Sequence, residues 1–166
     1  MAYQCSVCGE IHHDFPAFSF SSPYYYHILS EEDQATMAEL SEDWCIIRHD
    51  TQTDYFIRAV LELPVTGTAE TFQYGVWVSL SEKNFEYYMD NLDETREGDA
   101  FFGYLCNRIP GYENTLATRA NIVCGPKGQR PHVFPHGEQD HAFVRDFIQG
   151  ISPEEADRRI HLLLKR

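Results

Sequence analysis

Apolar and polar positions alternate most clearly in the middle of the chain, where 44–49, 55–63 and 72–80 read as β-strands. Within 55–63, Tyr55, Ile57, Ala59, Leu61 and Leu63 share one face, while Phe56, Arg58, Val60 and Glu62 share the other. Both faces carry apolar side chains, so both are expected to be partly covered. The connections at 50–54 and 64–71 are short and polar, which predicts an antiparallel meander. A further strand is expected over 101–109, stopped by Pro110 and Gly111, with weaker strand patterns at 120–125 and 132–134.

Elsewhere the apolar positions recur every three or four residues, the spacing of one helical face. Ser30 starts a helix with Glu31, Glu32 and Asp33 in its positive first turn and Ala35, Met37, Ala38 and Leu40 along its body. Ser81 starts another through Phe85, Tyr88, Met89 and Leu92. A third spans 140–149, with Gly150 as its terminator. Ser152-Pro153-Glu154-Glu155 combines an N-cap, a first-turn proline and a capping-box glutamate ahead of Ile160, Leu163 and Leu164. Residues 15–27 carry Pro16, Pro23 and Tyr24, Tyr25 and Tyr26, an irregular segment lying on the core by its rings. Strands grouped together with helices outside them predict an α+β fold. The expected architecture is a mostly antiparallel sheet flanked by helices, with an N-terminal C-x-x-C knuckle and two C-terminal helices. Residues 1–166 make one domain, of which 1–14 is the knuckle-like segment.

Charge narrows the choice of partner. Thirteen Lys and Arg against 26 Asp and Glu leave a net charge of −13, a field that repels phosphate backbones and anionic membranes. Nucleic acid and membrane are therefore not expected partners, whereas a basic protein is. The sequence opens without a basic region leading into an apolar run, and it holds no stretch approaching the ~20 apolar residues of a membrane span. A cytoplasmic location follows, where five cysteines indicate metal ligation or burial in preference to disulfides.

The most specific chemical signal is Cys5-x-x-Cys8-Gly9, with His12 four residues beyond Cys8. Two thiolates at this spacing reach one tetrahedral ion, and soft sulfur with borderline nitrogen suits zinc. No second C-x-x-C follows, so the fourth ligand must come from elsewhere. Two further features are candidates for binding. His132, His136 and His141, with Glu138 and Asp140 beside them, lack the spacing of a helical catalytic zinc motif. Arg58, Trp77 and Arg130, together with His141, outline a partly apolar pocket suited to an anion or small ligand. In the plainer reading, Arg58 is half-buried and paired with Glu62. The chain has no G-x-S-x-G elbow, no phosphate-binding glycine loop and no dinucleotide-binding G-x-G-x-x-G.

Several pieces taken together are distinctive. Cys5-x-x-Cys8-Gly9-x-x-His12, Asp43-x-Cys45, Phe56-x-Arg58, Gly75-Val76-Trp77-Val78-Ser79, Phe102-Gly103-x-Leu105, Arg130-Pro131, His141 and Gly150-Ile151-Ser152 resemble a bacterial family known as a domain of unknown function. Ala142 departs from its pattern, which places proline after the histidine. The resemblance implies a single-domain bacterial protein and supplies no catalytic residues. It also implies Cys45 as the fourth ligand, since Cys45 falls at a motif position while Cys106 and Cys124 do not. Two functions follow from these readings. The first is a zinc-binding, acidic protein-interaction module, of which an inhibitor or immunity-type role is one version. The second is a small enzyme or ligand-binding protein using Arg58, Trp77, Arg130 and His141.

Overall fold

The computed structural model describes residues 3–4, 9–12, 17–94 and 96–164. Near the N-terminus, β1 (Tyr3–Gln4) and β2 (Ile11–His12) form a two-stranded antiparallel pair. β3 (Phe18–Ser19) leads into the short helix α1 (Tyr24–His27) and then α2 (Glu31–Met37). Ser30 caps α2 by accepting from the Asp33 N–H at 3.1 Å, as its position predicts. The helix ends sooner than its apolar spacing suggests. Ala38–Leu40 forms β4, pairing antiparallel with β5 (Trp44–Arg48) through Ala38↔Ile47 and Leu40↔Cys45. Backbone pairing at a sheet edge outweighs a weak helical preference here.

The expected meander is present. β5, β6 (Thr53–Pro64) and β7 (Thr71–Leu80) pair antiparallel in sequence, with Phe56 opposite Cys45 on one side and Ser79 on the other. After α3 (Glu82–Asp90) come β8 (Ala100–Leu105), β9 (Arg119–Val123) and β10 (His132–Pro135). β7–β8, β8–β9 and β9–β10 are antiparallel, and β10 then pairs parallel with β6 through His132↔Val60. That last pairing turns the expected sheet into a closed five-stranded barrel of β6, β7, β8, β9 and β10, extended by β5 and β4 beside β6 and by β3 parallel to β7. α4 (Ala142–Gln149) and α5 (Pro153–Leu164) follow, giving the two predicted C-terminal helices.

The strands divide the apolar residues between two clusters. Inward positions of β6, β7 and β9, among them Ile57, Leu61, Leu63, Phe72, Tyr74 and Ile122, fill the barrel with Phe143, Val144, Ala156 and Ile160 of α4 and α5. On the outside, Cys45, Ile47, Phe56, Trp77 and Cys106 form a second cluster beneath Tyr25, Tyr26 and Leu29. The tyrosine-rich segment thus lies on apolar surface by its rings, and both faces of β6 are covered in part, as the alternation predicts. No helix among the described residues is long and apolar enough to cross a membrane.

Candidate functional site

A broad concavity lies on the outer face of β6, β7 and β8. Phe56, Ser79 and Tyr104 stand in register across these strands, so a small side chain sits between two large rings and the surface dips. β7 and β8 pair only through Val78↔Leu105 and Ser79↔Tyr104, after which β7 turns into α3 at the N-cap Ser81. Gly103 permits the close approach at this junction, since a Cβ there would fall 2.5 Å from the Ser79 carbonyl oxygen. The result is a groove of about 1110 Å³, closed at one end by the 49–55 hairpin and bordered by Ala117, whose φ of 61° is unusual for a residue with a side chain.

The groove is lined by aromatic rings and carboxylates. Tyr25 stacks on Phe56, with ring centres 6.1 Å apart. Phe102 and Tyr104 meet edge-to-face at 5.1 Å and are 46% and 42% exposed, which leaves ring surface open to a ligand. Asp50, Asp54 and Glu82 supply negative charge, and among the described residues the lining includes neither lysine nor arginine. The imidazole Nε2 of His49 donates to Asp54 Oδ2 and the Gln52 amide donates to Asp54 Oδ1, each at 3.1 Å. Tyr55 donates its hydroxyl to Glu82 Oε1 at 3.1 Å. Cys106 borders the groove, but burial pushes its thiol up to about 12 and the Sγ donates to the Tyr104 carbonyl at 3.3 Å. It is not poised as a nucleophile.

The residues singled out from sequence are distributed differently. Cys5 and Cys8 lie outside the described residues, and so does the His12 side chain. Cys45 is fully buried in the outer apolar cluster, where desolvation pushes its thiol up to about 12. Among the described residues, no group of three or more His, Cys, Asp or Glu side chains is arranged to hold a metal ion.

Arg58 and Trp77 are brought together as cross-strand partners, with the guanidinium 5.9 Å from the indole centre. Arg58 donates to the Glu42 carbonyl at 3.3 Å, while Glu62 accepts from Gln73 at 2.8 Å, so the expected Arg58–Glu62 pair is replaced by two other contacts. Arg130 comes to the same 42–43 segment, with Nε 2.8 Å from Asp43 and a second nitrogen 3.6 Å from Glu42. It lines a smaller cleft of about 570 Å³ with His132, Glu62 and Gln73. His141 has another setting altogether. Its Nδ1 accepts from the Phe143 N–H at 3.0 Å, capping α4, so its Nε2–H donates to the Glu113 carbonyl at 2.9 Å. Both ring nitrogens are engaged by backbone. His136 pairs with Asn121 at 2.9 Å on the barrel wall.

The groove residues were hidden in sequence by their ordinary roles. Residues 50–54 read as a hairpin connection, and Phe102 and Tyr104 as part of the strand 101–109. The available signal was His49 and Asp54 flanking a tight turn, which brings their side chains within hydrogen-bonding reach.

Fold and site together define a small closed barrel with an open, acidic, ring-lined groove on its wall. The chain itself is a member of a family of uncharacterised proteins conserved in bacteria (DUF2199), whose model matches residues 4–151. No curated protein and no solved structure matches it.

Proposed function

We propose that the protein is an interaction module whose groove takes a segment of a basic partner protein. The observation that carries this reading is the lining itself, which among the described residues has three carboxylates, no lysine or arginine, and two nearly half-exposed rings, in a chain of net charge −13. Opposite fields speed encounter and exposed rings retain what arrives, a combination that suits an inhibitor or immunity-type role. The groove holds a His–Asp pair but no activated nucleophile, which favours binding over catalysis. The alternative pocket draws less support, because Arg130 is held by Asp43 and Glu42 and both nitrogens of His141 are engaged by backbone.

The test is an amide-resonance titration with one cationic and one acidic peptide of equal length. The cationic peptide is expected to shift resonances of 49–55, 79–84 and 102–106, and the acidic peptide to leave them in place. Shifts scattered over the surface, or equal for both peptides, would overturn the reading.

The zinc-knuckle reading belongs to the same proposal. Cys5, Cys8 and His12 hold one zinc ion in a structural role, with Cys45 as the fourth ligand that the family resemblance implies. Metal analysis of purified protein is expected to give one zinc per chain, lost in Cys8→Ser. Metal-free wild type would reject the site, and unchanged zinc affinity in Cys45→Ser would remove Cys45 from it.

A further inference from the structure

We propose that the anchor selected by the groove is an arginine side chain, its guanidinium read by Asp54. This rests on the reading of the groove as the site for a basic segment and specifies which cation it takes.

The first argument is the state of Asp54. Several other carboxylates are paired with arginine, among them Glu39 with Arg48, Asp43 with Arg130, Asp140 with Arg145 and Asp146 with Arg159. Asp54 instead receives an imidazole on one oxygen and a carboxamide on the other. Its charge is thus oriented by two donors, neither of which is a lysine or arginine. A carboxylate offers about four acceptor sites, so each Asp54 oxygen keeps one for a ligand. Two acceptors side by side match the two parallel N–H groups of a guanidinium, whereas an ammonium engages them as a point charge. The side chain is 34% exposed, which leaves it reachable from the groove.

The second argument is what surrounds it. Tyr25, which covers the buried Phe56, and the exposed Phe102–Tyr104 pair present ring surface within the same groove. The Tyr25 phenol is pushed up first by burial, with the Asp54 carboxylate adding to the shift and Arg108 opposing it, so this ring and the carboxylate share one field. A planar, weakly hydrated guanidinium stacks on such rings, while a strongly hydrated ammonium loses more on entering. Asp50 and Glu82 add attraction at the rim without competing for the fork, and Glu82 already holds the Tyr55 hydroxyl.

The experiment is calorimetric titration of the full chain with hexa-arginine, hexa-lysine and hexa-citrulline peptides, with the thermal midpoint of every variant recorded. Hexa-arginine is expected to bind at least about tenfold more tightly than hexa-lysine, and hexa-citrulline, which keeps the shape without the charge, not to bind. Asp54→Asn is expected to abolish the arginine preference. Phe102→Ala, which removes an exposed ring, is expected to weaken hexa-arginine several-fold without lowering the thermal midpoint. A control Glu31→Gln/Glu32→Gln protein, altered at two exposed positions of α2, is expected to bind like wild type. Equal affinity for the arginine and lysine peptides, both lost in Asp54→Asn, would overturn guanidinium selection and leave the groove as a site for basic segments. Binding unchanged in Asp54→Asn but weakened in the Glu31/Glu32 protein would overturn both readings, because diffuse charge alone would then account for it.

Discussion

Asn107 stands where β7 and β8 part, and its side chain continues the hydrogen bonding that the strands give up. Its Oδ1 accepts from the buried Trp77 N–H at 2.7 Å and its Nδ2 donates to the Ser22 carbonyl at 3.0 Å, joining the N-terminal segment to the barrel. Its own carbonyl accepts from Thr115, whose oxygen in turn accepts from the Ile109 N–H. Asn107→Ala leaves the Trp77 N–H and the Ser22 carbonyl without this partner and is expected to cost about 1–3 kcal/mol in urea denaturation. A change within about ±0.5 kcal/mol would mean that solvent replaces the amide without penalty. This residue was only half legible in the sequence. The run 101–109 reads as one strand, but β8 ends at Leu105 because Cys106 and Asn107 turn to serve Trp77. An asparagine inside an apolar strand pattern was the available signal. The partner it serves is thirty positions away.

Among the elements, α5 was the most readable and still held a surprise. Ser152 caps it as predicted, accepting from the Glu155 N–H at 3.1 Å. The Glu155 carboxylate, however, is directed to Arg158 at 2.7 and 2.8 Å and to Arg159 at 2.8 Å. Arg159 is nearly buried and reaches the hydroxyls of Tyr74 at 3.4 Å and Tyr112 at 2.7 Å, with Asp146 of α4 at 3.5 Å. The helix is therefore fastened to the barrel by a polar cluster as well as by Ala156 and Ile160. The Arg158 bonds, opposed by burial and reinforced by Arg159, hold the Glu155 carboxyl down at about 2, against 4.5 for an ordinary glutamate. A depressed carboxylate stabilises the fold fully above its unfolded value and loses that contribution as pH falls through its folded value. Wild type is thus expected to be more stable than Glu155→Gln above about pH 4.5, with the gap closing toward pH 2. Thermal unfolding of both proteins across that window measures it, and a constant gap would show that the ion pairs add nothing. The helix start was readable because capping is local, while β4 was missed because only its pairing with β5 makes it a strand.

For the molecule as a whole, the sequence gives the meander but not the ring. β5, β6 and β7 are joined by short turns, so their order follows from the chain. Closure depends on β10 meeting β6, a pairing of His132 with Val60 that no local pattern announces. The groove was illegible for the same reason: Phe56, Ser79 and Tyr104 become neighbours only when three strands stand side by side. That ring has a consequence for solubility at high concentration. Closing β6 through β10 leaves the main sheet with β3 and β4 as its two ends, of two and three residues. Strand ends this short are poor templates for stacking one copy on another, and the excess negative charge keeps copies apart. Rings such as Phe102 and Tyr104 can then stay exposed without a long strand edge on which one copy could build fibrils with the next.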